Sequence, residues 1–184
     1  MVRVKSIIVL YTLIDNKLNI LLDNDSIIEI ECSDTLESVN SNYLSNKGLK
    51  VDLKQCYTYS NKDNDDLCLN TLYVGIIPSN SIKDLTPSTH LNTKNEYINQ
   101  SLEFLKERIT KLSVIKNIYK EFSLPDLQRF YENIFNVKYD RRNFRKHLIK
   151  LDVIEPISRE KVTGKGRPAT IYKFKDSKID KILF

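Results

Sequence analysis

Two capped amphipathic patterns followed by two short apolar runs fill the last third of the chain, and their order constrains the fold most. The first pattern, SLPDLQRFYENIF, begins at Ser123, a good N-cap residue. Pro125 lies in the tolerated first turn, and Asp126 comes three residues after the cap. Apolar residues recur at helical spacing and predict one buried stripe, made of Leu127, Phe130, Tyr131, Ile134 and Phe135. We therefore expect a helix that begins directly after Ser123.

The second pattern, DRRNFRKHLIKL, follows the short connection NVKY and predicts a basic helix. Asp140 is its N-cap candidate. Phe144, Leu148 and Leu151 stand at i, i+4 and i+7, so they share one face. Basic residues cover the first turn and the outer face: Arg141, Arg142, Arg145 and Lys146. We expect the apolar face to be buried and the cationic face to be exposed.

The apolar runs VIEPI and ATIYKF flank the stretch EKVTGKGRP and predict a β-hairpin with a basic tip. The chain has only four glycines, and two of them, Gly164 and Gly166, fall in this stretch. Glycine permits a tight bend and a close approach of the backbone to another molecule. Lys161, Lys165 and Arg167 are interleaved with the glycines. The tip is therefore suited to contact a phosphate backbone.

Helices followed by a basic helix and a basic hairpin occur in this order in a winged helix-turn-helix, which binds double-stranded DNA. The basic helix alone also fits a solvated surface, and the glycine stretch alone also fits a surface turn. Together, with 12 basic and 4 acidic residues between positions 138 and 175, they favour nucleic-acid binding. The predicted DNA contacts are Ser123, Lys138, Arg141, Arg142, Asn143, Arg145, Lys146, Lys161, Lys165 and Arg167.

The sign of the charge changes along the chain and predicts two domains. Residues 1–100 hold 9 Lys+Arg against 13 Asp+Glu, whereas residues 101–184 hold 20 against 11. A basic half beside an acidic half indicates that only one half faces a polyanion. We predict a first domain over 1–94, a bridging helix over 95–112, and the DNA-binding domain over 113–184.

The first hundred residues read as mixed α/β. Strands are expected over Ser6–Ile14, Leu18–Leu22, Ile27–Ile30, Val51–Tyr59 and Leu67–Ile77. A helix is expected over Thr35–Asn46, with Asp34 as N-cap and Gly48 at its C-terminal end. Loops are expected over 60–66 and 78–92, and helical structure over 96–111 and 114–122.

Several classes of site find little support in the composition. Cys32, Cys56 and Cys68 form no CxxC pair, and two histidines cannot complete a metal cluster with them. We expect no catalytic residue, no metal and no cofactor. No apolar run approaches the roughly 20 residues that span a bilayer, so no membrane partner is expected. Free thiols fit a reducing cytoplasm best.

The C-terminal motifs resemble those of the Nudix-related transcriptional regulators of the NrtR type, over roughly residues 113–175. In that family an LxxLQxxYExIL helix precedes a D[KR]RNFRRK recognition helix and a GRPAxLYxF wing. The matching residues here are Leu124, Leu127, Gln128, Tyr131, Glu132, 140–146 and 166–174. The resemblance implies an α+β chain, a Nudix-like α/β/α sandwich followed by a winged helix-turn-helix domain. It also implies a homodimeric bacterial DNA-binding regulator, often a repressor, whose first domain senses a nucleotide such as ADP-ribose.

The catalytic Nudix box, GX5EX7REUXEEXGU, is degenerate in this chain. With Gly48 on the closing glycine, the arginine becomes Ser41, and the three glutamates of the helix become Asn42, Ser45 and Asn46. Neutral side chains cannot replace three carboxylates around a hard divalent cation. The sequence therefore predicts a Nudix-like domain without hydrolase activity, and it assigns no effector-binding residue.

Two other functions stay open at this point. One is a divergent Nudix pyrophosphohydrolase, which measurable turnover of ADP-ribose or dinucleotides would reveal. The other is a winged helix that binds a protein partner, which basic residues scattered over several faces would favour. Neither explains the clustering of arginines on one predicted helix as directly as DNA binding does.

Overall fold

A computed structural model describes residues 2–15, 17–63, 65–89, 95–159 and 169–175. The chain divides into two compact units, residues 1–105 and 106–184. This division falls inside the segment that the sequence predicts as a bridging helix. The domain boundaries at residues 94 and 112 stay a prediction.

The first unit is built on a mixed β-sheet. Its strands are β1 (Val2–Ile14), β2 (Lys17–Leu22), β3 (Ile28–Glu31), β4 (Lys54–Asp63), β5 (Asp66–Ile76) and β6 (Thr86–Ser88). The sheet order is β4-β5-β1-β2-β6, and β3 pairs with β1 beside this path. The pair β1–β5 is parallel and the other pairs are antiparallel. The centre of the long strand β1 has the sequence SIIVLY. Its side chains are buried on both faces of the sheet, as expected for a nearly continuous apolar run.

One face of the sheet is covered by helix α1 (Leu36–Asn46). The Ser6 hydroxyl in β1 donates to the side-chain oxygen of Asn40 in α1, at 2.5 Å, in a buried site. Ile8, Leu10 and Leu44 belong to the apolar core on this side. Gly48 follows the helix with a φ of +61°, and the Leu49 amide donates to the Leu44 carbonyl. This is the predicted glycine-terminated helix end.

The opposite face of the sheet is covered by helix α2 (Glu96–Ile109). The Tyr11 side chain in β1 is fully buried, and its hydroxyl lies 2.8 Å from the Ser101 hydroxyl in α2. Burial raises the pKa of Tyr11 to about 12, and the hydrogen bond with Ser101 opposes that shift. Helices on both faces of the sheet confirm the predicted α/β/α sandwich.

Three local expectations for the first unit are wrong. The predicted loop over 60–66 is instead part of a hairpin, in which β4 and β5 stay paired up to Asp63 and Asp66. The cap of α1 is the Thr35 hydroxyl, which accepts from the Ser38 amide, while Asp34 accepts from the Thr35 amide. The predicted loop over 78–92 contains β6, which pairs with β2. The polar residues over 60–66 predict a loop, but a strand at an exposed sheet edge can also be polar, because one side of it faces solvent.

The second unit combines three helices with a small antiparallel sheet. Its elements are α3 (Leu112–Ile118), β7 (Phe122–Ser123), α4 (Leu124–Phe135), α5 (Arg141–Leu151), β8 (Ile154–Arg159) and β9 (Thr170–Phe174), with sheet order β7-β9-β8. The predicted helix over 114–122 is too long, since it ends at Ile118 and Phe122 already pairs with Tyr172. This α-β-α-α-β-β order confirms the predicted winged helix-turn-helix.

An aromatic core holds the second unit together. Phe130, Tyr131 and Leu127 in α4 are fully buried, as the predicted stripe requires. The Tyr131 hydroxyl donates to the Ile109 carbonyl at 3.0 Å. Phe122 and Phe174 pack with their ring centroids 4.6 Å apart, which joins β7 to β9. Burial of these rings fixes α4, and α4 in turn supports α5.

Candidate nucleic-acid interface

Helix α5 begins at a side-chain cap. Asp140 has an extended backbone, and its carboxylate accepts from the Asn143 amide at 2.9 Å. The cap satisfies one of the free amides of the first turn and places a negative charge at the positive end of the helix dipole. Apart from this cap, the first turn has no acidic residue. The start of the helix is therefore fixed, and the side chains that follow it are neutral or basic.

The two faces of α5 differ as the sequence predicts. Phe144 and Leu148 are buried against the rest of the unit. The exposed surface of the first two turns carries Arg141, Arg142, Asn143, Arg145 and Lys146. We call these five residues the cationic face. Four cations on less than two helical turns attract a polyanion, and arginine adds a planar fork that matches guanine or phosphate. Their contact with DNA stays a prediction.

A hydrogen-bonded clamp fixes the turn between α4 and α5. The Glu132 carboxylate accepts from the Tyr139 amide at 3.0 Å and from the Gln128 side-chain amide at 2.9 Å. Gln128 also donates to the Tyr139 carbonyl at 2.9 Å. These hydrogen bonds, the one from Gln128 foremost, hold the pKa of Glu132 below its usual range. The clamp fixes the backbone at Tyr139, directly before Asp140, the N-cap residue of α5.

Sequence reasoning identified Gln128 and Glu132 only as motif residues and missed the clamp. Their i, i+4 spacing on α4 was a usable signal, because such residues face each other on a helix. The bond to the Tyr139 backbone was not readable from sequence, since it depends on the turn geometry. In that turn Asn136 adopts a left-handed conformation with φ +52°.

The remaining predicted contact residues differ in their surroundings. Lys138 is 91% exposed, and its ammonium group lies 3.5 Å from Glu132. Ser123 is buried, and its hydroxyl caps α4 by accepting from the Asp126 amide at 3.3 Å. The predicted contact of Ser123 with DNA stays a prediction. Lys161, Lys165 and Arg167 lie outside the described residues.

The hairpin of β8 and β9 is anchored to the end of α5. The Lys175 amide donates to the Val153 carbonyl at 2.9 Å, and its ammonium group lies 2.6 Å from the Asp152 carboxylate. Lys173 and Glu155 face each other across the two strands at 3.0 Å. Asp152 ends α5 with a φ of +56°. The predicted wing therefore starts from a defined position next to α5.

Residues 115–174 match the family model described as the NrtR DNA-binding winged helix domain. This stretch contains the clamp, the cationic face and the hairpin strands. Most of the second unit is therefore similar to the NrtR-type winged helix domain. The resemblance noted in the sequence is thereby confirmed for this part of the chain.

A curated relative matches a limited stretch of the chain. It is the ADPR responsive transcriptional repressor NtrR of Acinetobacter baylyi, 38% identical over 53 residues. The match covers 29% of this chain and 21% of that protein, so it spans about a fifth of the relative. It supports an NrtR-type domain over a limited stretch.

Solved structures resemble the chain over nearly its whole length. Shewanella oneidensis NrtR complexed with a 27mer DNA gives a TM-score of 0.72 at 18% identity, covering 94% of this chain and 93% of that chain. Shewanella oneidensis NrtR alone gives 0.71 at 19% identity, covering 94% of each chain. At such identities the likeness shows the fold alone.

The degenerate Nudix box lies on α1 and at its C-terminal end. Ser41, Asn42, Ser45 and Asn46 are all exposed on the helix. Gly48 takes the left-handed conformation that the closing glycine would need. Within the described residues no group of three or more His, Cys, Asp or Glu is placed to hold a metal ion. The helix of the box is therefore present with neutral side chains in place of carboxylates.

A carboxylate near the end of α1 is engaged by the helix itself. Asp23, in the turn after β2, accepts from the Tyr43 hydroxyl at 2.7 Å and from the Lys47 ammonium at 3.0 Å. The bond from Tyr43, followed by that from Lys47, lowers the pKa of Asp23. Because Lys47 already neutralises this carboxylate, Asp23 is poorly suited to bind a divalent cation.

The cysteines show no sign of a nucleophile. Burial raises the pKa of the Cys56 thiol to about 11, and burial also raises the pKa of Cys32. Cys68 is buried in β5. A thiol with a raised pKa stays protonated at neutral pH and reacts slowly. In the part of the chain that the structure describes, no helix is long and apolar enough to cross a membrane.

Proposed function

We propose that the chain is a DNA-binding transcriptional regulator of the NrtR type, whose winged helix domain holds double-stranded DNA. The observation that carries the proposal is the cationic face of α5, which starts from a capped and clamped position. A major groove admits one α-helix, and residues in the N-terminal part of that helix reach the base edges. We expect Arg141, Arg142 and Arg145 to make these contacts, and the exposed Lys138, beside Glu132, to contact a phosphate on the flank.

The same proposal includes repression and response to a nucleotide. Support comes from the Acinetobacter relative, which is described as an ADPR responsive transcriptional repressor. A Nudix-type first unit suits a ligand of the ADP-ribose class. We expect a homodimer, because one winged helix reads a short half-site and two-fold pairing doubles it. A bacterial regulator of this kind acts in the cytoplasm, where the chromosome is.

The proposed first unit binds its ligand without hydrolysing it. Asn42, Ser45 and Asn46 supply neutral groups where the Nudix box supplies glutamates, and Mg²⁺ prefers carboxylate ligands in such sites. The runner-up function, a divergent pyrophosphohydrolase, would need another set of carboxylates. Incubation with ADP-ribose and dinucleotides in Mg²⁺ or Mn²⁺ tests this, and we expect no turnover.

The convergence of the basic side chains disfavours a protein-binding role for the winged helix. The described cations of α5 are all exposed, whereas Phe144 and Leu148 on the same helix are buried. A face of this kind matches the phosphates that line a groove better than a mixed protein surface. A partner protein would have to offer an acidic groove of similar width.

Capture of bound DNA followed by mobility-shift titration tests the function directly. The full chain should select a common duplex sequence from genomic fragments and bind it in a salt-dependent way. Arg142→Ala should weaken binding by about 1–3 kcal/mol and relax sequence choice at one position. Lys50→Ala, an exposed charge removal in the first unit, is the matched control and should bind as the parent does.

Effector response is read in the same assay. Addition of ADP-ribose should change the duplex affinity, whereas NAD tests whether the full dinucleotide is also recognised. If neither nucleotide changes the duplex affinity, the proposed response to a nucleotide is wrong, and the proposed DNA binding is unaffected. Duplex binding that ignores both salt and Arg142 would overturn the DNA-binding part.

A further inference from the structure

A single large apolar side chain interrupts the charged surface of α5. Ile149 is 52% exposed, the highest value among the large apolar residues described in the second unit. Isolated exposed apolar residues are common on protein surfaces and need no explanation by themselves. The position of Ile149 within the helix is what distinguishes it.

Helical geometry places Ile149 on the cationic face. With about 3.6 residues per turn, residues at i+3, i+4 and i+7 share a side of the helix. Ile149 stands at i+7 from Arg142, i+4 from Arg145 and i+3 from Lys146. Phe144 and Leu148, which form the buried stripe, point to the other side. An uncharged, branched side chain is therefore set among three cations on the surface that would face DNA.

The major groove offers one apolar group that such a side chain can recognise. Thymine carries a C5-methyl group in the groove, and apolar side chains contact it specifically. A surface made only of cations would bind phosphates without making this distinction. We propose that Ile149 is a specificity-determining residue that packs against the methyl group of a thymine in the bound site. The proposal rests on the DNA-binding function proposed above.

The spacing on the helix gives the expected location of this thymine. Seven residues at about 1.5 Å per residue separate Ile149 from Arg142 along the helix axis, about 10 Å in all. Base pairs are stacked about 3.4 Å apart. Where the helix follows the groove, the thymine lies about three base pairs from the base pair that Arg142 reads.

Removal of single methyl groups from the DNA tests the contact. A duplex selected by the full chain is resynthesised with each thymine replaced in turn by deoxyuridine, which keeps base pairing and loses only the methyl. The parent protein should lose about threefold to tenfold in affinity at one thymine per half-site, in line with the loss of one buried methyl contact. The other thymines should respond less.

Protein variants then show whether Ile149 makes the contact. Ile149→Ala should bind the unmodified duplex about threefold to tenfold more weakly and should no longer respond to deoxyuridine at that thymine. Ile149→Val should restore most of the response. Leu67→Ala, which truncates another exposed apolar residue in the first unit, is the matched control and should respond as the parent does.

The outcomes separate this proposal from the function on which it rests. An equal response of the parent and Ile149→Ala to every deoxyuridine would overturn the thymine contact while DNA binding stands. A change in oligomeric state in Ile149→Ala, with the deoxyuridine response kept, would also overturn it and assign Ile149 to a protein contact. Failure of the parent to select any duplex would instead refute the proposed function. Thermal unfolding of Ile149→Ala, expected near that of the parent, shows that the fold is retained.

Discussion

Helices α1 and α5 are built alike and carry opposite surfaces. Each has 11 residues, and each is capped by a side chain that accepts from an amide in the first turn, Thr35 in α1 and Asp140 in α5. The outer side of α1 exposes serine and asparagine, whereas that of α5 exposes arginine and lysine. Backbone and caps make both helices, and the exposed side chains alone decide what each can bind. The helix aligned with the Nudix box carries mainly neutral exposed groups, and the helix of the winged domain carries cations.

The largest expected effect comes from making α5 as neutral as α1. A triple substitution of Arg141, Arg142 and Arg145 by alanine removes three cations from the cationic face. Duplex affinity should fall at least about 100-fold, since each such contact contributes about 1–3 kcal/mol. Titration in a mobility-shift assay measures this. Helix content should be retained, because alanine is a good helix former, and circular dichroism is the control for folding.

Loss of the clamp should weaken both stability and DNA binding. Glu132→Ala leaves the Tyr139 amide and the Gln128 side chain without their shared acceptor, at a cost of about 1–3 kcal/mol in the free energy of unfolding. Glu132→Gln keeps an acceptor oxygen and should lose less. Urea unfolding and duplex binding are measured for both variants. Equal, full duplex affinity for Glu132→Ala would show that the clamp does not position α5.

The pH dependence of the clamp follows from the depressed pKa of Glu132. A carboxylate with a lowered folded pKa adds stability that is present above its unfolded pKa, about 4.3. That stability is lost as the pH falls through the lower folded pKa. Between pH 6 and pH 3 the free energy of unfolding should therefore fall less steeply with decreasing pH for Glu132→Gln than for the parent. Identical pH profiles would contradict a bonded, ionised Glu132.

Removing the N-caps of α1 and α5 should have smaller effects, and the two caps can be compared directly. Thr35→Ala and Asp140→Ala should each destabilise by about 1 kcal/mol, because each removes one cap hydrogen bond. Only Asp140→Ala should also weaken DNA binding, since it loosens the first turn of α5. Unfolding and binding curves of the two variants test this pairing. A similar loss of duplex affinity in Thr35→Ala would contradict the assignment of DNA binding to the second unit.

The smallest expected effect comes from giving α1 the ionic groups that it lacks. A variant with Asn42→Glu, Ser45→Glu and Asn46→Glu restores the carboxylates of the Nudix helix. We expect weak Mg²⁺ or Mn²⁺ binding by calorimetry, in the millimolar range typical of incomplete oxygen sites. Turnover should remain absent, because the first glutamate of the box, eight positions before the arginine, aligns with Ser33 in this chain. Parent protein that binds Mn²⁺ as well as the variant would indicate a different metal site.

The second unit was predictable from sequence because its signals are local. Ser123 and Asp140 cap their helices as their residue types indicate, and the buried stripe of α4 follows the helical period. The short strand β7 was missed. Two residues carry no periodicity, and Phe122 becomes extended only because it pairs with Tyr172, fifty positions later in the chain.

In the first unit the long-range contacts were harder to read. The parallel pairing of β1 with β5 joins residues 65 positions apart, and the sequence of neither strand indicates which strand it pairs with. The polar residues over 60–66 predict a loop, whereas the structure pairs them in a hairpin. An exposed sheet edge tolerates polar residues, so composition does not separate the two cases. Likewise, the Asp23–Tyr43–Lys47 cluster depends on a turn and a helix meeting in space.

The salt dependence of duplex binding tests the central claim most directly. The parent chain and the Arg141, Arg142 and Arg145 triple-alanine variant are titrated with one selected duplex over a range of NaCl concentrations. If α5 holds DNA through its cations, log affinity should fall linearly with log salt, with a slope of about 0.9 per phosphate contact. The variant should show a shallower slope. Parallel lines for the two proteins, or parent binding that salt does not change, would contradict the assignment of α5 as the DNA-holding helix.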